Sequence, residues 1–180
     1  MSSIAVTGSA TGTGVISLLA PVTNTNRTIN LPDSNGTIVT SATAGVPIGG
    51  PAFSAYQSTL QSTSSGVTTK ILFQTEEFDT NSNFASSTFT PTVAGYYQVT
   101  GGVVYAGSTA AVVPFIYKNG AVYKRGTNPP TSGGAAMSAL VYCNGTTDYV
   151  EFYSVSFATQ NTSVGIELTY FQAAMVRSAV

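Results

Sequence analysis

The sequence predicts an all-β sandwich or barrel over roughly its last two-thirds. Short apolar runs recur there, and none of them repeats with the helical period of about 3.6 residues. Turn sequences separate the runs, among them Lys118-Asn119-Gly120, Asn128-Pro129-Pro130 and Asn144-Gly145. Evenly spaced short strands divided by such turns are typical of sandwiches and barrels.

The clearest strand follows the segment FTPTVAGYY at residues 89–97. Pro91 interrupts a helix and Gly95 permits a tight bend, so this segment predicts a corner between two strands. The side chains that then alternate onto one face are Tyr97, Val99, Val103 and Tyr105. In chain order, we expect strands at residues 53–57, 70–74, 82–89, 96–105, 112–118, 121–124, 136–143, 148–155 and 163–173.

The chain divides at a Gly/Pro-rich linker, residues 45–51. All of the 10 Tyr and 9 Phe lie from Phe53 onward, whereas residues 1–50 carry only two charges, Arg27 and Asp33. We therefore expect a globular domain at residues 52–180 and an extended, β-rich arm at residues 1–44. A hairpin around Asn35-Gly36 is predicted within the arm, and an isolated hairpin needs another surface to be stable.

Charge is scarce in this chain. Only 7% of the residues are charged and the net charge is −1, so no basic field is present to attract nucleic acid. No apolar run is long enough to insert into a membrane. The chain has no His and a single Cys, Cys143, which we expect to be a small buried hydrophobe.

Several predicted strands are apolar or aromatic on both faces. One face of a sandwich strand packs in the core, so aromatic residues on the other face predict a subunit interface. By this argument we predict that Tyr149, Tyr153 and Phe171 lie in the interface of a homotrimer. The alternative is that long loops of the same chain cover these side chains.

The ordered motifs of the globular domain resemble the C1q/TNF-like family. They are PAFSAY at 51–56, KILF at 70–73, FDTNSNF at 78–84, FTPTVAGYY at 89–97, FIYKNG at 115–120 and DYVEF at 148–152. The resemblance covers roughly residues 52–176. It implies a jelly-roll β-sandwich of about ten strands that forms a tight homotrimer.

The arm is similar to segments that precede tip domains in bacteriophage fibre and virion surface proteins. The matching segments are GVISLLAP at 14–21, RTINLPD at 27–33 and GTIV at 36–39. This similarity implies a virion surface protein that is assembled in the host cytoplasm. Residues 1–44 would bind other virion proteins, and the C1q-like head would project.

Two structural roles follow from this similarity. As a fibre tip, the trimer would adhere to the host through a loop around Tyr123, Lys124 and Arg125, the last two of which form the only pair of adjacent basic residues. A host-surface polysaccharide is the expected ligand. As a capsid decoration protein, the chain would be attached to the capsid shell through its arm.

Catalytic chemistry has little support in the sequence. The absence of His removes the usual base of a catalytic triad and a common metal ligand. Glu76, Glu77 and Asp79 form the only carboxylate cluster, and paired carboxylates could hydrolyse a polysaccharide. We expect no enzyme, no cofactor and no metal site, with calcium at Asp79 or Asp148 as the alternative to solvated carboxylates.

Overall fold

The computed structural model describes residue 11 and residues 50–107, 110–127 and 133–179. The predicted arm, apart from Thr11, and the predicted hairpin lie outside these residues. Within the described ranges the chain forms thirteen strands and no helix. No helix in that part of the chain is therefore long and apolar enough to cross a membrane.

The strands range from two to ten residues in length. In chain order they are β1 (Ala52–Tyr56), β2 (Ser62–Thr63), β3 (Thr69–Lys70), β4 (Thr75–Asp79), β5 (Phe84–Ala85), β6 (Thr88–Phe89), β7 (Gly95–Val104), β8 (Val112–Lys118), β9 (Ala121–Arg125), β10 (Gly134–Cys143), β11 (Val150–Ser156), β12 (Gln160–Asn161) and β13 (Tyr170–Ser178).

Two antiparallel sheets form the sandwich. Sheet one has the strand order β10-β7-β13-β1-β4, and sheet two has the order β5-β6-β11-β8-β9 with β3 also paired to β11. Most neighbours within a sheet are distant in the chain, because the chain crosses repeatedly from one sheet to the other. This crossing pattern is that of a jelly roll, as the sequence predicts.

Aromatic side chains fill the space between the sheets. The ring of Phe171 on β13 lies 5.1 Å from that of Phe53 on β1 and 6.0 Å from that of Phe152 on β11, measured between centroids. The predicted burial of Cys143 is confirmed, and it raises the pKa of the thiol to about 11. Few thiolates exist at neutral pH with such a pKa, which makes this thiol a poor nucleophile.

The segment FTPTVAGYY forms the predicted corner between β6 and β7. The Tyr97 hydroxyl donates a hydrogen bond of 2.6 Å to the carbonyl of Val93, across the bend. Asn83 supports the same bend, since its side-chain oxygen accepts a bond from the amide of Thr92 at 3.1 Å. Tyr97 therefore packs its ring in the core while its hydroxyl holds the turn that precedes it.

Three predicted strands differ from the structure. Residues 71–74 lie between β3 and β4. The amide of Ile71 donates to the carbonyl of Phe152, but those of Leu72 and Phe73 donate to the side chains of Gln61 and Ser87 rather than to a strand. Residues 82–89 form two short strands, β5 and β6, since Ser86 and Ser87 adopt positive φ and turn the chain.

The last strand was also predicted too early in the chain. Residues 163–169 form a loop, in which the carbonyl of Gly165 accepts hydrogen bonds from the amides of Leu168 and Thr169. Gly165 has a φ of 136°, a conformation that interrupts a strand. The strand therefore starts at Tyr170 and continues to Ser178.

Gly101 allows the two sheets to approach each other closely. A Cβ atom at this position would lie 2.3 Å from Cδ2 of Phe152 in the facing sheet. We expect Gly101→Ala to lower the free energy of unfolding by about 1–3 kcal/mol, because a full core must shift to admit the methyl group. Urea unfolding followed by circular dichroism measures this loss.

Gly102→Ala is the matched control for that substitution. Its Cβ would meet Cε1 of Tyr170 at 2.7 Å, but this ring is half-buried on the outer face and can rotate away. The loss at Gly102 should therefore be smaller. Equal losses at the two glycines would show that the sheets do not limit the space at Gly101.

Candidate interaction surfaces

The outer face of sheet one carries large apolar side chains that the protomer leaves exposed. We call the sheet-one face the set formed by Phe78, Tyr96, Leu140, Tyr142 and Val176. Tyr96 on β7 pairs directly with Tyr142 on β10, and their ring centroids are 5.4 Å apart. Leu140, two residues away from Tyr142 on the same face of β10, is 51% exposed.

Between the apolar side chains of the sheet-one face, the outer surface of the sheet is polar but uncharged. Ser138 on β10 hydrogen-bonds to the side chains of Gln98 and Thr100 on β7. A groove of about 510 Å³ is lined by Tyr96, Leu140 and Val176 of this face and by Arg177, Ser178 and Ala179. Apolar side chains around neutral polar groups are typical of protein–protein contacts.

The sheet-one face is not among the surfaces expected from the sequence. Its signal was present in the paired tyrosines of FTPTVAGYY, since two adjacent residues of a strand must point to opposite faces. Tyr97 faces the core, so Tyr96 faces outward. Tyr142 stands in the same relation to Cys143, which is buried.

The outer face of sheet two holds two of the three predicted interface residues. Tyr149 and Tyr153 are half-buried there. The ring of Tyr153 stacks on that of Tyr117, with 4.0 Å between the centroids. Burial, and next the charge of Glu151, raises the pKa of the Tyr153 hydroxyl. Neighbours in the same chain therefore already cover part of this face.

The prediction that Phe171 lies in a subunit interface is wrong. Its side chain is completely buried within the protomer, where it packs between the two sheets. The error follows from the predicted start of the last strand. Residues 163–169 are a loop, so their alternation says nothing about the strand, and Tyr170 rather than Phe171 points outward.

The predicted receptor residues lie on β9, the exposed end strand of sheet two. Tyr123, Lys124 and Arg125 are all exposed. Lys124 Nζ lies 5.4 Å from the ring centre of Tyr123, and Arg125 Cζ lies 5.9 Å from that of Phe115. Lys124 and Arg125 are adjacent on this end strand, so they point to its opposite faces, each beside an aromatic ring.

The carboxylate cluster at residues 76–79 forms β4, the end strand of sheet one. Glu77 accepts a hydrogen bond of 2.7 Å from the hydroxyl of Ser54. Asp79 accepts one from the amide of Phe84 at 2.7 Å and one from that of Asn81 at 3.2 Å. Asp79 therefore stabilises a turn with both of its oxygens.

Asp148 is likewise engaged in local bonds. It forms an ion pair of 2.8 Å with Lys118 and accepts a hydrogen bond of 2.7 Å from the side-chain amide of Asn119. Among the residues that the structure describes, no three His, Cys, Asp or Glu side chains are grouped as metal ligands would be. Asp79 and Asp148, the two proposed calcium ligands, thus belong to separate hydrogen-bond networks.

Two loops at one end of the sandwich form a further exposed surface. Residues 57–69 and 156–166 are joined by backbone hydrogen bonds, including Gly66 N to Ser156 O at 2.8 Å and Gly165 N to Gln57 O at 3.0 Å. We call them the distal loops. They contain no charged residue. Their exposed apolar side chains are Leu60, Val67, Phe157, Val164 and Ile166.

The described chain enters the sandwich at the end opposite the distal loops. Pro51 accepts a hydrogen bond of 3.1 Å from the amide of Met175, and β1 then runs from Ala52 toward Tyr56 and the loop 57–69. Tyr170, which follows the loop 156–166, pairs with Tyr56. The entry of the chain and the distal loops are therefore separated by the length of the sheets.

Asp148 should make the free energy of unfolding depend on pH in the acid range. Hydrogen bonds from Asn119 and Lys118 hold the pKa of this carboxyl below its ordinary value of 3.8. Its stabilising contribution is therefore complete above that value and is lost as the pH falls through the folded-state pKa. We expect Asp148→Asn to be less stable than the wild type at pH 7, and the difference to shrink in acid.

Urea unfolding at a series of pH values from 7 down to about 2.5 tests this dependence. Glu76→Gln serves as a control on an exposed carboxyl of β4. A difference between Asp148→Asn and the wild type that stays constant with pH would contradict the ionic role of Asp148.

Comparison with known proteins identifies the fold. Neither a protein-family model nor a curated protein sequence matches the chain. Among solved structures, murine APRIL at pH 5.0 is similar with a TM-score of 0.54 and 10% identity, over 70% of this chain and 98% of that one. The globular domain of zebrafish complement 1qA gives 0.51 and 17%, over 72% and 99%.

The structure of Eiger TNF from S. frugiperda is similar as well. Its TM-score is 0.53 and its identity 11%, over 77% of this chain and 96% of that one. At these identities the likeness concerns the fold. It confirms the fold class expected from the sequence: this chain has the jelly-roll fold of TNF and C1q domains.

Proposed function

We propose that this chain is a non-enzymatic structural protein of a bacteriophage virion surface, which projects a trimeric head that adheres to the host. The jelly-roll fold supports the proposal of a trimeric head. The similarity of residues 14–39 to segments of phage virion proteins supports the proposed location on the virion surface. Residues 1–44 attach the protein to other virion proteins. The distal loops bind the host.

The observation behind this proposal is that the described chain enters the sandwich at one end and the distal loops lie at the other. The arm leads into β1 at one end, and the exposed apolar side chains of the distal loops lie at the other. A patch of apolar residues on a soluble surface indicates a contact with a partner. A head attached through its arm presents this patch outward, where a host surface is met first.

The chemistry of the distal loops favours a neutral ligand. Residues 57–69 and 156–166 contain no charged residue, and the exposed Glu167 directly follows them. These loops are rich in hydroxyl and amide side chains and have one exposed ring, that of Phe157. Neutral sugars offer hydroxyl groups for hydrogen bonds and apolar ring faces for contact with an aromatic side chain. We therefore propose an uncharged polysaccharide of the host surface as the ligand.

The sheet-one face is the better candidate for the trimer interface. Its apolar side chains are exposed, whereas Tyr153 on sheet two already stacks against its own chain. Covering an exposed apolar surface contributes about 25 cal/mol per Å². Tyr96, Leu140 and Tyr142 therefore replace Phe171 as the residues that we expect at the centre of the interface.

The virion role can also be that of a capsid decoration protein, since both roles use the arm for attachment. The number of copies in a purified virion distinguishes the two. Hundreds of copies would indicate decoration of the capsid, and a few to tens would indicate a tail fibre.

A charge in the sheet-one face should dissociate the trimer. We expect Tyr142→Asp to convert the protein to folded monomers, because an unpaired buried charge costs about 3–5 kcal/mol at an interface. The protomer itself should tolerate this change, since Tyr142 is exposed in it. Sedimentation velocity and circular dichroism measure the assembly and the fold.

Tyr153→Asp, on the outer face of sheet two, is the matched comparison. It should leave the trimer intact if the sheet-one face is the interface. A trimer that survives Tyr142→Asp but dissociates with Tyr153→Asp would place the interface on sheet two instead. A wild-type protein that sediments as a stable monomer would refute the trimer.

Attachment and adhesion should be separable in a phage that encodes this protein. Deleting residues 1–44 should yield particles that lack the protein. Leu60→Ser with Phe157→Ser should yield particles that contain it but adsorb about tenfold more slowly, the change expected from about 1.4 kcal/mol of lost binding free energy. Mass spectrometry and adsorption assays give the two readouts.

Val93→Ser is the control for adsorption, because Val93 is exposed near the opposite end of the sandwich. This variant should adsorb normally. If the protein without its arm still enters the particle, residues 1–44 do not attach it. If the substitutions at Leu60 and Phe157 leave adsorption unchanged, the distal loops do not bind the host.

A further inference from the structure

Exposed charges of opposite sign lie on opposite long edges of the sandwich. On β9, at the end of sheet two, Lys124 and Arg125 form what we call the basic edge. On β4, at the end of sheet one, Glu76 and Glu77 form what we call the acidic edge. All four side chains are exposed.

Contacts between neighbouring strands establish that the two edges are opposite. Next to β9 lies β10, the other end strand of sheet one, since the Tyr123 hydroxyl donates to the carbonyl of Leu140 at 3.4 Å. Next to β4 lies β5, because Asp79 accepts a hydrogen bond from the amide of Phe84. The basic and acidic edges are thus separated by the width of the sandwich.

The charges of both edges have no ion-pair partner within the described part of the chain. The two ion pairs found there join Lys70 to Glu151 at 2.7 Å and Lys118 to Asp148 at 2.8 Å. In the described part of the chain, Lys124 and Arg125 each contact an aromatic ring, and neither contacts a carboxylate. Glu77 accepts a hydrogen bond from a neutral hydroxyl.

We propose that the basic edge of one copy docks against the acidic edge of the next, so that ion pairs link the three subunits in a ring. This inference rests on the trimer proposed above and specifies how its subunits are oriented. An interface that joins two different surfaces is heterologous, and such contacts close into rings. The arrangement gives each subunit one neighbour on each edge.

The charge pattern also opposes the alternative of a twofold dimer. A symmetric contact through β9 would bring Lys124 and Arg125 of both copies together, and one through β4 would do the same for Glu76 and Glu77. Like charges placed against each other in an interface are strongly unfavourable. The two edges therefore repel copies of themselves and attract each other.

Exposed apolar side chains flank both edges and complete the complementarity. Val122 and Tyr123 lie beside the basic pair, and Phe78 follows the acidic pair. Phe78 also belongs to the sheet-one face, so the edge contact is continuous with the interface proposed there. A polyanionic partner fits the basic edge less well, because two adjacent cations on a chain of net charge −1 attract it weakly.

Charge exchange tests this orientation. We expect Lys124→Glu with Arg125→Glu, and separately Glu76→Lys with Glu77→Lys, to raise the trimer dissociation constant at low salt by at least about tenfold. The protein with all four substitutions should recover the wild-type constant, because its edges are again complementary. Sedimentation equilibrium at low and high salt measures all four proteins.

Ser65→Lys controls for net charge, since Ser65 is exposed on the distal loops, away from both edges and from the sheet-one face. It should leave the constant unchanged. Where a reversal impairs folding, as judged by circular dichroism, Lys124→Gln with Arg125→Gln and Glu76→Gln with Glu77→Gln replace it. These neutral pairs should weaken the trimer by less than the reversals do, and more at low salt than at high salt.

The outcomes separate this inference from the proposed function. A monomeric wild type would refute both the trimer and the edge contact. A trimer that none of the charge changes weakens, or that the fourfold exchange does not restore, would overturn the edge contact alone. Loss of host binding by Lys124→Glu with Arg125→Glu, with the trimer intact, would assign the basic edge to the receptor instead.

Discussion

The packing of Phe171 against both sheets is the contact on which the rest of the structure depends. Its ring lies between 5.1 and 6.2 Å from those of Phe53, Phe73, Phe84 and Phe152, which come from both sides of the sandwich. Once Phe171 points inward, the alternation of β13 sets the outward direction of its neighbours. The core and the exposed surfaces are therefore two results of one constraint.

The sequence predicted the fold because the period of the strands is visible without knowledge of their partners. Tyr97, Val99 and Val103 alternate over a long stretch, and a turn marks each end of it. Residues 71–74 and 163–169 are harder, since the amides of Leu72 and Phe73 donate to side chains and those of Leu168 and Thr169 close a local turn. Those bonds depend on residues far away in the chain, or on a φ value that the residue types do not fix.

The candidate surfaces were less predictable than the core. The alternation of side chains divides the residues of a strand into two faces. It does not show which face is buried unless the ends of the strand are known. For this reason alternation alone misplaces Phe171 and does not single out Tyr96, Leu140 and Tyr142. The charged edges depend on the order of strands within each sheet, which brings β4 and β9 to opposite sides. No local pattern contains that order.

The position of β1 has a mechanical consequence. This strand follows the arm, and it lies between β13 and β4 with antiparallel hydrogen bonds on both sides. A pull between Ala52 and the distal loops would act along the axis of β1, and hence across all of those bonds together. Bonds loaded in shear must break as a group, whereas bonds loaded from one end open one after another. β1 is thus placed where the described domain resists such a tension best.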